Sequence, residues 1–466
     1  MSPVKSKRRD GRSVSLTVLF MLAVIIAVGV FLRGQAYLGT EVVEPLQEDS
    51  ADAYALAQTL SSQGAYKVLT TPVDAGSEVD STQTFGSLGY PLFLSLFAAP
   101  ETEPGNINAA IIAQLVLSAL AILLVFMLTS RLMDPHWGLT AAFLTALSPF
   151  LVNISLYLVS ATLLLVTLLL YLVTAAKISD RWAMIRTFMA AALLGIVTWV
   201  DPTYEFLILP WLLLLLLSSK GASKFFTPVA AILGFTLVFG PIVVRNQEAI
   251  HTPIDTAPIT ASIQQGMPPA QADAAAVPEG ETSTGAAIGQ LGGRFLDDPR
   301  AFLKWYFVEK PKALWSLGEP AGVEQSLVYP VSESPYNENP IFLTSDEFMK
   351  LLHGPMVLIG ALGLILVWLP IAGRRLTPSQ RIGLRSISLV LIYATLAKVF
   401  GVAEPQYATP LMPLLFVMAL TPLYLITAPR LEAAPKPAKA KKPRKGKKAA
   451  KAEENEASGE TQPEAA

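Results

Sequence analysis

Glu48, Asp49 and Asp52 stand close together in EDSADAYALAQTL (48–60), shortly after the apolar segment 13–32. A carboxylate at an aqueous edge can take the proton from a hydroxyl or amine as that group attacks, or orient the attack. Asp49 and Asp52, at i and i+3, share a face if the stretch is helical. The same acids also suit a helix start, where Asp or Ser caps the first turn and negative charge complements the dipole. A displacement that releases an anion needs cations too, because an unpaired charge in a low-dielectric site is costly.

Two residues answer that need: Lys398, inside the apolar LIYATLAKVFG, and Arg245, near the end of PIVVRN (241–246). An ionisable residue within an apolar span is a functional candidate by default, although a lysine near a membrane edge also snorkels to the headgroups. Asp201 and Glu205, in DPTYE (201–205), offer further acids for an acceptor or metal site, or are turn acids in solvent. His136, His251 and His353 are scattered and Cys is absent. Asp49 and Asp52 alone are a sparse oxygen set for a divalent ion. No obligatory metal or other cofactor is expected.

The elements that must position these groups are membrane spans. The 466 residues are 52% hydrophobic and only 15% charged, against about 25% charged in soluble domains. Apolar runs long enough for a ~30 Å hydrocarbon core, which takes roughly 20 helical residues, recur near 13–32, 106–130, 138–152, 156–176, 187–200, 203–218, 225–244, 354–372, 384–402 and 408–427. The expected fold is an all-α polytopic membrane protein of about ten helices. Its first span reads as an uncleaved anchor, since its core is long and no small-residue cleavage site follows.

The expected organisation is a basic N-terminus (1–12), the first span (13–32), a first outer loop with the acids (33–105), a bundle (106–244), a large outer loop (245–353), the last spans (354–427) and a tail (428–466). Lys and Arg gather on the cytosolic side of short loops. With the N-terminus inside, the cytosolic segments before the tail hold fifteen of them, whereas 33–105 holds only Arg33 and Lys67 beside ten acids. Both termini are therefore expected in the cytosol. The tail has ten Lys or Arg between Arg430 and Lys451, then five Glu, and no large apolar residue after Leu431. It reads as a disordered segment attracted to anionic membrane lipid rather than to nucleic acid. No GxxxxGK[ST] loop is present, which excludes an ATP-driven transporter with its motor in this chain. Within 297–315, aromatic and basic residues at helical spacing predict an amphipathic helix in the membrane interface.

Several stretches, taken in order, carry a resemblance. DSADAYALAQTL with LGYPLFLSLF (88–97), residues 130–173 with Pro149 at a break, GIVTWVDPTYEFLILP (195–210), PIVVRN, DDPRAFLKWYFVEKPKALW (297–315) and EPQYATPLMPLL (404–415) together resemble the GT-C membrane glycosyltransferases. The similarity is to the branch of the protein O-mannosyltransferases and lipid A aminoarabinose transferases. That resemblance implies transfer of a sugar from a polyprenyl-phosphate donor to a lipid, glycan or protein acceptor on the outer face, in a bacterial inner membrane.

The resemblance also implies roles. Asp49, eight residues before Ala57, matches the family's spacing for its catalytic acid, with Asp52 as alternative or partner, and Arg245 matches the family's Arg-Asn pair. Arg245 with Lys398, the cation inside an apolar span, is expected to hold the donor phosphate, and Asp201, Glu205 and Tyr407 are candidates for an acceptor site. Asp201 stands where the family often has Arg, Ile242 where it has Trp, and Gln406 where it has Arg. A transporter or flippase, or a non-catalytic assembly subunit, is the alternative; a transporter favours internal repeats and mid-membrane charges, and no repeat is evident.

Overall fold

The computed structural model describes residues 15–47, 49–63, 87–98, 106–176, 178, 182–219, 221, 223–249, 254, 256–267, 284–317 and 328–429. Glu48, the N-terminus, the tail from 430, and 268–283 of the large loop lie outside them. The helices are α1 Leu16–Gly39, α2 Asp49–Gln63, α3 Gly89–Leu94, α4 Ile107–Leu132, α5 Pro135–Leu147, α6 Pro149–Asn153, α7 Ala161–Ala175, α8 Ala183–Val200, α9 Ile208–Ser218 and α10 Ser223–Ala249. There follow α11 Ala257–Gln265, α12 Thr284–Asp297, α13 Pro299–Lys304, α14 Lys310–Leu314, α15 Pro335–Glu338, α16 Pro340–Leu366, α17 Pro370–Arg375, α18 Pro378–Phe400, α19 Pro405–Ala408 and α20 Met412–Thr427.

The chain is an all-α polytopic membrane protein. Seven helical segments among the described residues are long and apolar enough to cross a bilayer: 16–39, 107–132, 183–200, 223–247, 340–366, 378–400 and 405–427. The run expected at 138–152 is instead a bent pair, α5 with 149–156, broken by 60°. Those expected at 156–176 and 203–218 are shorter apolar helices, 161–175 and 202–218. Large apolar side chains such as Phe20, Leu217, Phe225, Leu358 and Ile365 stay exposed on the spans, as a lipid-facing surface requires. The segment 405–427 is the most enclosed span, packed with Leu168, Leu194 and Trp211 in the main core.

Boundaries differ from expectation at two places. Helix α1 runs on to Gly39, and α16 begins at Pro340, because each span continues past the bilayer-length apolar run. Arg33, counted above with the outer loop, is therefore inside the bundle, 2% exposed. Its Nε donates to Ser118 Oγ (2.8 Å), and its Nη atoms reach the carbonyls of Gly29, Ala146 and Thr145 (3.1, 3.3 and 3.5 Å). Pro149 has no N–H to return to Thr145 O, and the bend denies Ala146 O its partner too. Arg33 supplies both. Arg33→Leu is expected to lower stability by on the order of 3 kcal/mol, for two stranded carbonyls. Thermal unfolding in detergent checks this; an unchanged midpoint would show that the break does not depend on Arg33.

The segment after α1 joins the segment before α16. Strand β1 (Glu41–Val42) pairs antiparallel with β2 (Val331–Glu333), Glu41 facing Glu333 and Val42 facing Val331. This ties the end of α1 to the stretch leading into α16.

Candidate active site at the C-terminal end of α18

Helix α2 docks by one stripe. Ser50, Tyr54, Ala57 and Leu60 are buried, at helical spacing, and Tyr54 and Ala57 pack with Tyr90, Leu94, Ala98, Ala110 and Leu158. Ala57 is wholly buried, which accounts for a small residue there. The entry to α2 is fixed by Ser50, whose Oγ donates to Gln47 O and accepts from Gln47 N–H, both at 2.7 Å. Asp49 is the first residue of the helix; its side chain is not among those described. Asp52 lies on the exposed face.

The segment after α2 is stitched to the turn that carries Asp201. Ser87 Oγ donates to Val200 O at 2.7 Å. A Cβ on Gly89 would lie 2.7 Å from the backbone of Trp199, so only glycine allows α3 to sit this close to the end of α8.

Asp201 caps the 3-10 turn Pro202–Leu207, its Oδ1 accepting from Thr203 N–H at 2.9 Å. Its Oδ2 faces Lys398 Nζ at 4.0 Å, with the two side chains 19% and 20% exposed. Lys398 Nζ also lies 3.4 Å from Thr203 Oγ1 and 4.4 Å from the centre of the Tyr407 ring. One turn earlier on α18, Tyr393 OH donates to Thr203 O at 2.7 Å, holding the 3-10 turn against the helix. Glu205 lies on the same 3-10 turn, half-buried. Lys398, Asp201 and Tyr407, three of the residues singled out from sequence, thus meet. Arg245 is buried on α10, 4% exposed. Gln406, where an Arg was expected by resemblance, donates to Glu404 at 2.7 Å.

The arrangement leaves the ammonium under-used. Charged hydrogen bonds run at about 2.7–2.9 Å, whereas the polar contacts of Lys398 are longer than that. An ammonium has three donors. With an aromatic face on one side and a distant carboxylate on the other, it can accept an anionic oxygen without first losing a tight pair.

Lys310 is not singled out by the sequence. The segment expected as one amphipathic helix is α13, a π turn (Trp305–Glu309) and α14. Leu303, Phe307 and Val308 are exposed, whereas Tyr306, Lys310 and Leu314 are buried. Lys310 Nζ donates to Gly401 O, the carbonyl just past α18, and lies 4.8 Å from the Tyr306 ring centre. Tyr306 stacks on Phe400 at 5.6 Å. Trp305 Nε1 donates to Gly266 O (3.2 Å), and Val402 N–H donates to Ser262 Oγ (3.3 Å). The long segment between α10 and α16 therefore clamps the helix end that carries Lys398. Only the basic character of Lys310 was visible in sequence; a partner supplied by a helix end leaves no pattern.

Burial pushes the Lys310 ammonium down to about 8 from its usual 10.5. Between those values the unfolded chain keeps the proton that the folded chain gives up, so stability rises as pH increases from about 8 to about 10.5 and the full penalty is present below about 8. Lys310→Met is expected to flatten this rise. Unfolding midpoints across an alkaline pH series test it; an identical slope in the variant would assign the rise to another group.

No protein-family model and no curated protein matches the chain. Among solved structures it is similar to the Archaeoglobus fulgidus oligosaccharyltransferase in its apo form (15% identity, TM-score 0.47, 87% of this chain and 50% of that one). It is similar also to that enzyme, AglB, in complex with an inhibitory peptide and a dolichol-phosphate (15%, TM-score 0.46, 88% and 50%). A third is ArnT from Cupriavidus metallidurans bound to undecaprenyl phosphate (11%, TM-score 0.42, 87% and 60%). The chain spans about half the length of the oligosaccharyltransferase.

Proposed function

We propose that the chain is a membrane glycosyltransferase that moves a sugar from a polyprenyl-phosphate carrier to an acceptor at the outer face of a bacterial inner membrane. The observation that carries the reading is the under-coordinated Lys398 ammonium beside Asp201 and Tyr407 at one membrane edge. Lys398, with Arg245 as second cation, neutralises the carrier phosphate as the glycosyl bond breaks. Asp49 takes the proton of the acceptor hydroxyl or amine as its oxygen or nitrogen bonds to the sugar carbon; Asp52 is the alternative base. Asp201 and Glu205 accept hydrogen bonds from hydroxyls of the acceptor, and the Tyr407 ring offers an apolar face.

Mass spectrometry of lipids and glycans from membranes with and without the gene tests this. The deletion is expected to accumulate a lipid-phosphate sugar and to leave one acceptor unmodified. An unchanged lipid and glycan profile would sink the enzyme reading. A substrate that merely changes leaflet without losing its sugar would indicate a flippase instead.

A further inference from the structure

The start of α18 lies roughly 34 Å from its end, at 1.5 Å per residue, so the turn 367–385 occupies the membrane face opposite Lys398. That turn holds Arg374, Arg375, Arg381 and Arg385, and no Asp or Glu occurs between Glu347 and Glu404. A general preference for basic residues on one face accounts for their number. It does not account for their arrangement.

Two of the four build the turn. Arg375 Nη1 donates to the carbonyls of Ile426 (2.9 Å) and Ala428 (2.6 Å), closing the end of α20. Arg385 Nε donates to Val367 O at 3.0 Å, and its guanidinium lies 5.0 Å from the Trp368 ring centre. Trp368 is itself fixed by its Nε1 donation to Ser388 Oγ at 3.0 Å. Arg381, one helical turn before Arg385, lies against Gly373, where a Cβ would come 3.5 Å from Nη1. Its Nε is buried and has no hydrogen-bond partner among the described residues. Arg374, next to Gly373, is exposed. The nearby turn acid, Asp134, accepts from the N–H groups of His136 and Trp137. Around this cationic rim Trp368, Leu369 and Ile371 are 38%, 43% and 46% exposed, so apolar surface flanks the charges.

We propose that this rim binds the phosphodiester of an anionic phospholipid in the leaflet opposite the Lys398 site. Guanidinium forks at Arg381 and Arg374 match phosphate oxygens, and the exposed Trp368, Leu369 and Ile371 side chains lie along the acyl chains. A free phosphate satisfies only the first half of this surface.

The test uses the full chain, purified in neutral detergent and offered phosphatidylglycerol or phosphatidylcholine, with bound lipid read by native mass spectrometry. Phosphatidylglycerol is expected to be retained over phosphatidylcholine. The double variant Arg374→Gln, Arg381→Gln leaves the carbonyl caps of Arg375 and Arg385 in place and is expected to lose that preference roughly tenfold or more. Lys398→Ala is expected to keep it, which separates this proposal from the reading of the outer site. Equal retention of both lipids, or an undiminished preference in the double variant, would overturn the proposal. Displacement of the lipid by millimolar inorganic phosphate would also overturn it, by showing a bare anion site.

Discussion

Asp49→Asn is expected to lower turnover by about 10²- to 10⁴-fold, the usual contribution of a positioned general base. The substitution keeps size and hydrogen-bonding capacity while removing charge and basicity. It spares the fold, because the entry to α2 is held by Ser50 on Gln47 and its docking by Tyr54 and Ala57. Binding of the lipid carrier should therefore persist. Asp52→Asn should cost less, since Asp52 is on the exposed side of the helix. Purified enzyme is assayed for sugar transfer and, separately, for carrier retention. Parental turnover in Asp49→Asn would remove the base assignment, and loss of activity in Asp52→Asn alone would transfer it to Asp52.

The second large effect concerns Lys398. Lys398→Met keeps a long side chain over Tyr407 but removes the charge, and donor KM is expected to rise about 10- to 100-fold, as for a lost charge-assisted hydrogen bond. Acceptor KM should change much less. Asp201→Asn gives the opposite control: it removes the carboxylate 4.0 Å from Nζ and leaves the ammonium free, so donor binding should hold or tighten while acceptor use weakens. A snorkelling lysine with no ligand would leave the donor KM of both variants at the parental value.

Much of the architecture was legible in the sequence, for a plain reason. A bilayer has no water to satisfy the backbone, so a long apolar run has little choice but to be helical. Each of the ten runs falls on a helical segment, although 138–152, 156–176 and 203–218 are broken or short. The break at Pro149 lies inside the span expected at 138–152, where proline removes a backbone donor.

Hydrophobic period reports how a residue is turned toward its surroundings; it carries nothing about which distant residue it meets. That Lys398 and Arg245 were cations and Asp201 an acid was plain from the chain alone. That Lys398 faces Asp201 and Tyr407, while Arg245 is buried on α10, depends on how α18 packs against the turn after α8. Tyr393 on Thr203 and the glycine-only approach of Gly89 to Trp199 set that packing. Arg33 and Lys310 make the same point from the opposite side. Both have the composition of surface residues, and both are buried because tertiary structure brings them backbone carbonyls: those of Thr145 and Ala146, stranded by a bend, and that of Gly401, at a helix end.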